Sequence, residues 1–265
     1  MLWEDLTADE FEWAVSASGQ TCLFPFGVIE KHGSHLPLST DMQIGRKIAQ
    51  EAAKLEPVVV FPYYYFGQIN EARHVPGTIA IKPELEYALL QEIFTEIARN
   101  GFKKIIILSS HGGNIAFVEY VMQGSLYEKK DYALYNINFF SWLTPEQQEE
   151  MKNILHLTQV MDHAGVIETS LMLAIQPELV HMDQVNPEGK KNLGRLNHLQ
   201  GVASSISWYA NYPTHQAGDP SDATKTAGEK IIRYAARNIA KAIKLVKEDQ
   251  VAERLQKEFF AACSK

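Results

Sequence analysis

The chain has 265 residues, of which 46% are hydrophobic and 22% are charged, and its formal net charge is −7. These proportions are those of an ordinary soluble globular protein, and the length lies at the upper limit of one domain. The acidic balance and the lack of a long basic run argue against a nucleic-acid-binding surface, which depends on clustered Lys and Arg. No uninterrupted apolar stretch reaches the roughly eighteen residues that a membrane span needs.

The two cysteines, Cys22 and Cys263, are too few for a disulfide framework, and neither has a CxxC partner. This favours a reduced compartment. The N-terminal segment has no basic stretch ahead of an apolar core, so it lacks the pattern of a signal peptide. We therefore expect a cytoplasmic protein that binds neither membrane nor nucleic acid.

Apolar runs alternate with helical patterns along the chain, which is typical of an α/β protein with a mostly parallel sheet. The predicted strands are 21–29, 57–65, 104–109 and 132–139. The predicted helices are 41–54, 83–100, 114–128, 163–175 and 222–249. Because no low-complexity linker or fixed repeat interrupts this order, we predict a single domain over residues 1–265. The least regular stretch, 183–220, is long enough to indicate a functional or mobile loop.

Candidate metal ligands follow two of the predicted strands. Glu30 and His32 come after the first strand, and His111 follows the strand at 104–109. Ligands of open α/β sheets bind beyond the carboxyl ends of the strands, so these side chains are expected at one edge. Asp41 lies at a predicted helix start, where the helix dipole favours its charge. It is either a further ligand or simply the N-cap of that helix.

Charge balance favours two metal ions over one. The carboxylates of Glu30, Asp41 and Glu168, with one bridging hydroxide, would neutralise two divalent cations. The five candidate ligands give each ion three protein ligands only if one carboxylate bridges. Each ion then keeps an open position for water or substrate, as a catalytic site requires.

His163 and Glu168 are predicted to have separate roles. Five residues along a helix correspond to a rotation of roughly 140°, so the two side chains would not share a helix face. If Asp162 caps this helix, His163 lies at its mouth and Glu168 further in. His163 is then available as a proton carrier, a role that histidine can fill near neutral pH.

Taken together, these segments resemble the creatininase (creatinine amidohydrolase) family. The matching motifs lie in order over roughly residues 22–230 and are Glu30–Asp41, Pro76-Gly77-Thr78, Ser110–Asn114, His163–Ser170 and Gly218–Thr224. Each motif alone is weak, but the ordered combination is specific.

The resemblance implies a three-layer α/β/α sandwich, a dinuclear site for Zn or Mn (with Fe as an alternative), and a homohexamer. By position, one metal would take Glu30, Asp41 and His111. The other would take His32, the bridging Asp41 and Glu168. His163 matches the residue that passes a proton to the departing nitrogen, so His163 and Glu168 are the predicted catalytic pair.

The implied activity is hydrolysis of a non-peptide or cyclic amide, in which a metal-bridging hydroxide attacks the carbonyl. Creatininase proper carries a Glu two residues after the strand-end histidine, where this chain has Gly113. That departure makes creatinine a weak candidate substrate. The wider family includes formamide hydrolases acting on pterin or flavin precursors and a peptidase of redox-cofactor maturation, and both remain alternatives.

Other interpretations of single residues stay open at this point. Glu71 and His74 either line the pocket or pack in their own loop, and Trp142 either covers substrate or belongs to the core. His35 is expected to be structural or to hydrogen-bond the ligands. Two rival functions are a phosphate loop built on Ser110–Asn114 and a catalytically silent, oligomeric binding protein. The first predicts no metal, and the intact ligand positions count against the second.

Overall fold

The computed structural model describes residues 1–138, 141–157 and 162–263. Four strands form a parallel sheet in the order β2-β1-β3-β4. They are β1 (Thr21–Phe26), β2 (Val59–Val60), β3 (Lys104–Ser109) and β4 (Ala133–Ile137). The helices are α1 (Ala8–Ala17), α2 (Thr40–Leu55), α3 (Pro83–Arg99), α4 (Asn114–Gly124), α5 (Pro145–Ile154), α6 (Val166–Ile175), α7 (Ser207–Asn211), α8 (Lys225–Glu248) and α9 (Val251–Cys263).

Both faces of the sheet are buried, because alternate residues of a strand point to opposite sides. On one face, Leu23, Ile106 and Leu108 pack in a cluster with residues of α2, α6 and α8. On the other face, Phe24 and Ile105 pack in a cluster with residues of α1, α3 and α4. The predicted α/β class with three layers is therefore confirmed.

The strand order reverses between β1 and β3. From β1 the chain passes outward to β2, and it then returns to the other side of β1 to form β3 and β4. The carboxyl ends of β1 and β3 lie side by side, since Phe26 is in register with Ser109. In open α/β sheets this switch point is where ligands bind.

Several predicted boundaries were too long. The expected strand over 57–65 is reduced to β2, because Pro57 and Pro62 lack the N–H that a strand interior needs. The strand predicted over 21–29 ends at Phe26, and a side chain at Gly27 would collide with the backbone of Met42. The predicted strand over 132–139 is observed as Ala133–Ile137, and its last residue lies outside the described part.

Helices α6 and α8 make close backbone contact at Gly228. A Cβ there would lie 1.9 Å from the backbone oxygen of Ser170. Gly→Ala in a helix ordinarily stabilises by about 1 kcal/mol. Gly228→Ala should instead lower the free energy of unfolding by about 1–3 kcal/mol, as overpacking does. Urea unfolding measures this change, with Lys241→Ala at an exposed position of α8 as the control variant. A Gly228→Ala variant more stable than the wild type would contradict the described packing.

Candidate metal centre

Five predicted ligand side chains meet at the switch point. Glu30 and His32 lie in the segment that leaves β1, Asp41 lies in the first turn of α2, and His111 follows β3. Glu168 lies in the first turn of α6. The N-cap residue of α2 is Ser39, and Asp41 lies inside the helix. The alternative that Asp41 is only an N-cap is therefore wrong.

The first three-residue group is Glu30, Asp41 and His111. The Nδ1 atom of His111 lies 2.8 Å from Glu30 Oε1 and 2.9 Å from Asp41 Oδ2. Both carboxylate oxygens are buried, and His111 Nδ1 is their close polar contact among the described residues. Two buried carboxylates against one imidazole are unfavourable unless positive charge compensates them, so this group suits a cation.

The tautomer of His111 supports the same conclusion. Its Nε2 lies 3.0 Å from the carbonyl oxygen of Gln68, which can only accept, so Nε2 carries the proton in the neutral ring. The Nδ1 lone pair then faces the two carboxylates. A histidine that donates its other N–H to a carbonyl is the usual arrangement of a metal ligand.

His32 is arranged in the same way toward a second position. Its Nδ1 donates to the backbone oxygen of Glu30 at 3.2 Å. Its Nε2 lies 3.1 Å from Asp41 Oδ1 and 3.7 Å from Glu168 Oε2. The two oxygens of Asp41 thus face different histidines, which is the geometry of a bridging carboxylate.

Without metal, these contacts shift several pKa values. Burial opposes protonation of His32, but the charges of Asp41 and Glu168 outweigh it and raise its pKa to about 10. The pKa of His111 is likewise raised well above its usual value, against burial, by Glu30 and Asp41. Burial raises the pKa of Glu168 to about 8. A proton therefore takes the place of a cation beside these carboxylates.

His163 stands before α6 rather than on it. The helix begins at Val166, and Ala164 has a left-handed φ of 54°. The prediction that His163 and Glu168 point away from each other was therefore wrong, because the 140° rotation applies only within a helix. Both belong to one cluster with His32. The N-cap residue is Gly165 rather than Asp162, although the Asp162 carboxylate accepts hydrogen bonds from the N–H groups of Val166 and Ile167.

Burial lowers the pKa of His163 to about 3, so its ring is neutral. Its Nε2 lies 3.0 Å from the carbonyl oxygen of Lys31, to which it donates, and Nδ1 therefore carries the lone pair. The ring also packs against Trp208 with centroids 5.5 Å apart.

The remaining candidates are distributed around the pocket. Glu71 and Trp142 line a cavity of about 820 Å³ that also contains Glu30, His111, His163 and Glu168. Trp142 is at the same time 2% exposed and part of the core, so both interpretations of it apply. His74 instead bonds the backbone oxygens of Glu71 and Pro213. His35 bonds the hydroxyl of Thr169, which is the expected structural role.

Sequence reasoning missed His215 and Trp208. Both line the cavity and come from the irregular stretch 183–220. His215 Nε2 lies 2.5 Å from Glu30 Oε2, and Trp208 Nε1 donates to His215 Nδ1 at 2.8 Å. The available signal was a histidine three residues before the Gly218-Asp219-Pro220 motif.

Gly113 leaves no room for a side chain in the present arrangement. A Cβ there would lie 2.4 Å from His111 Nε2 and 3.1 Å from the Gln68 oxygen. The position that is Glu in creatininase proper therefore cannot be filled here without moving His111.

This steric contact predicts a matched pair of variants. Gly113→Ala should displace His111 from Gln68 and weaken metal binding about 10- to 100-fold, as loss of an outer contact to a ligand does. A Cβ at Gly112 meets no described atom within 4 Å, so Gly112→Ala should bind metal like the wild type. Titration with Zn against a competing chelator measures both. Equal affinities for the two variants would contradict the described packing of His111.

Comparison with known proteins identifies the family of this chain. The model of the family described as creatinine amidohydrolase matches residues 4–243. The chain belongs to the creatininase family. As a member of it, the protein is a hydrolase of the creatininase type.

The relatives extend over most of the chain. Creatinine amidohydrolase of Pseudomonas putida is 26% identical over 91% of this chain and 95% of its own length. The mycofactocin precursor peptide peptidase of Mycolicibacterium smegmatis is 27% identical over 86% of each chain. A solved creatininase structure matches with a TM-score of 0.81 at 21% identity, covering 94% of this chain and 98% of that one, which shows the fold. Other creatininase structures are described as Zn–Zn and Mn forms.

Proposed function

We propose that this protein is a dinuclear metal-dependent amidohydrolase that cleaves the C–N bond of a non-peptide or cyclic amide. The observation that carries the proposal is the pair of buried oxygens of Glu30 and Asp41 that both face His111 Nδ1, with the other oxygen of Asp41 facing His32. With His32 and Glu168, these side chains would give three donors to each of two ions that share Asp41.

The residues divide into two ligand sets with Asp41 between them. Glu30, Asp41 and His111 would hold one ion. His32, Asp41 and Glu168 would hold the other, since His32 Nε2 lies 3.1 Å from Asp41 Oδ1 and 3.7 Å from Glu168 Oε2, and His163 lies beside this second group. Mixed imidazole and carboxylate donors suit Zn, Mn or Fe, and the Zn–Zn and Mn forms of related structures favour the first two. When bound, divalent ions supply Lewis acidity, which activates water and polarises a carbonyl.

His163 would move the proton. Its neutral ring has a lone pair on Nδ1, so it accepts a proton from the attacking water and returns it to the leaving nitrogen. The hydrogen bond from Nε2 to the Lys31 oxygen fixes the ring and stabilises its charged form. Glu168 would act by holding its ion, and its Oε2 also accepts the N–H of Ala164 at 2.6 Å, which ties it to the turn that carries His163.

The cavity indicates a substrate with more than a small polar ring. Its volume of about 820 Å³ lies in the upper part of the range typical of small-molecule sites, roughly 300–1,000 Å³. Its lining includes apolar side chains, among them Trp142, Leu143 and Met151, as well as the candidate ligands. A substrate that fits both has an amide next to an apolar or aromatic group.

This shape, with glycine at position 113, favours formamide hydrolysis on a flat heteroaromatic compound as the second candidate. Formamides attached to pyrimidine rings place a small amide beside an aromatic surface, which matches a lining of both candidate ligands and apolar side chains. A peptidase activity is the alternative suggested by the mycofactocin relative.

The test begins with metal-free protein prepared by chelation. It is assayed on cyclic amides, aryl formamides and short peptides, before and after addition of Zn or Mn. We expect that the metal-free protein hydrolyses none of these compounds. After Zn or Mn is added, we expect it to hydrolyse a cyclic amide or an aryl formamide. If the reconstituted protein binds no metal, the amidohydrolase proposal fails and the binding-protein interpretation replaces it.

We also propose a cytoplasmic homo-oligomer, with a hexamer as the expected form. Exposed apolar side chains support subunit contacts, among them Trp13, Tyr120 and Tyr127. Within the described residues, no helix combines the length and apolarity needed to cross a bilayer. Light scattering of the purified protein measures the oligomeric state directly.

A further inference from the structure

His215 contacts the metal centre from the loop between α7 and α8. It is 1% exposed, and both ring nitrogens are engaged. Nδ1 lies 2.8 Å from the indole nitrogen of Trp208, and Nε2 lies 2.5 Å from Glu30 Oε2. The role of this histidine depends on which nitrogen carries the proton.

Trp208 decides the tautomer of His215. An indole N–H can only donate, so Nδ1 of His215 must accept. In the neutral imidazole the single proton is then on Nε2, from which it is donated to the carboxylate of Glu30. Trp208 and His215 thus form a directed chain of two hydrogen bonds that ends on Glu30.

This arrangement is opposite to that of His32 and His111. Those two histidines donate to backbone carbonyls, and their lone pairs face carboxylates. His215 directs its proton, not a lone pair, at the centre. Although Glu30, His163 and His215 lie close enough to hold an ion together, the lone pair that His215 would need is already used by Trp208.

We propose that His215, held by Trp208, is a positioning residue that fixes Glu30 as a one-oxygen metal ligand. By occupying Oε2 it leaves Oε1 for the ion, and Oε1 is the atom that lies 2.8 Å from His111 Nδ1. This inference rests on the proposed function, because it assigns how one ligand of the same centre is oriented.

The backbone of His215 is held in an unusual conformation. Its φ is 56°, in the left-handed region that residues with a side chain seldom adopt. Its N–H donates to Tyr212 O at 3.0 Å, and its carbonyl accepts from Gly33 N at 3.3 Å. The second bond joins the loop to the segment that carries His32. Strain retained at a site next to metal ligands points to a functional constraint.

The experiment compares the Zn affinities of His215→Ala and His215→Gln by competition with a chromophoric chelator. Loss of the donor should weaken one of the two bound ions about 10- to 100-fold and leave the other nearly unchanged. Gln places an amide N–H₂ near the position of Nε2, so it should restore most of the affinity. His74→Ala is the control, because His74 supports the same loop through Pro213 O and has no described hydrogen bond to Glu30.

Nitrogen NMR provides a second readout that loop packing alone would not change. In the metal-loaded protein, His215 should be protonated at Nε2, and Trp208→Phe should broaden or shift this signal by removing the donor to Nδ1. A metal-bound, unprotonated Nε2 would overturn the proposal by making His215 a ligand.

The failures can be told apart. If the wild type binds two ions and His215→Ala binds both with unchanged affinity, the positioning role is wrong and the proposed function stands. If His215→Ala and His74→Ala lose affinity equally and Gln restores nothing, loop packing explains the effect and the inference is also wrong. If the wild type binds no metal, the proposed function itself fails.

Discussion

Replacing Asp41 with asparagine is expected to remove both metal ions and to abolish amide hydrolysis. The two oxygens of Asp41 face different ligand sets, 2.9 Å from His111 Nδ1 and 3.1 Å from His32 Nε2. The amide has the same shape but no charge, and its nitrogen cannot ligate. Because loss of a single charge-stabilising group costs roughly 10²–10³ in rate, loss of both ions should lower kcat by more than about 10³.

The matched control is Glu51→Gln, which neutralises another carboxylate of α2. Glu51 pairs with Lys47 and Lys54 on the helix surface, away from the cluster. It should retain close to the wild-type metal content, measured by elemental analysis after reconstitution. If Asp41→Asn keeps two ions per chain, Asp41 is not the bridge.

Replacing His163 with glutamine is expected to lower kcat by about 10²–10⁴ while both metals stay bound. This is the range for loss of a general acid or base, and Gln cannot exchange a proton at neutral pH. His163 donates to the Lys31 oxygen, a bond that a Gln amide can also make, so the fold should be preserved. Steady-state rates and metal content of the same preparation separate the two effects.

His198→Gln changes a histidine on the exposed surface and should leave kcat unchanged. Two outcomes would argue against a proton-transfer role for His163. One is a loss of metal equal to the loss of rate, which would make His163 a ligand. The other is full activity in His163→Gln.

The sequence predicted that the strand-end side chains meet at one edge of the sheet, because their positions follow from topology. Glu30 and His32 lie in the segment that leaves β1, and His111 lies in the segment that leaves β3. The carboxyl ends of parallel neighbours must meet at one edge. The alternation of strands and helices and the strand at 104–109 were likewise predicted from the apolar runs. A parallel strand that is buried on both faces needs such a continuous apolar run.

Helices α1 and α5 were missed although both have capping boxes. The boxes pair Thr7 with Glu10 in α1 and Thr144 with Gln147 in α5. In each pair the Thr side chain accepts the partner's backbone N–H, and the partner's side chain accepts the Thr backbone N–H. These helices are short and partly exposed, so their apolar periodicity is weaker than that of α2 or α8. A search for Thr-x-x-Glu/Gln would have found them.

The contribution of His215 could not be predicted, because it depends on how an irregular loop folds back across the sheet. The histidine lies 185 residues from Glu30 in sequence, and a left-handed residue is needed to direct its ring inward. No local pattern specifies such a contact. The predicted placement of His163 was wrong for a similar reason. The turn at Ala164 precedes the helix, and the sequence pattern did not show which residue is the first helical one.

The most direct test of the dinuclear centre is anomalous X-ray scattering from crystals of the Zn-reconstituted protein. A dinuclear centre predicts two peaks on either side of Asp41, one enclosed by Glu30 and His111 and the other by His32 and Glu168. The absence of any peak, or a single peak among Glu30, His163 and His215, would contradict it.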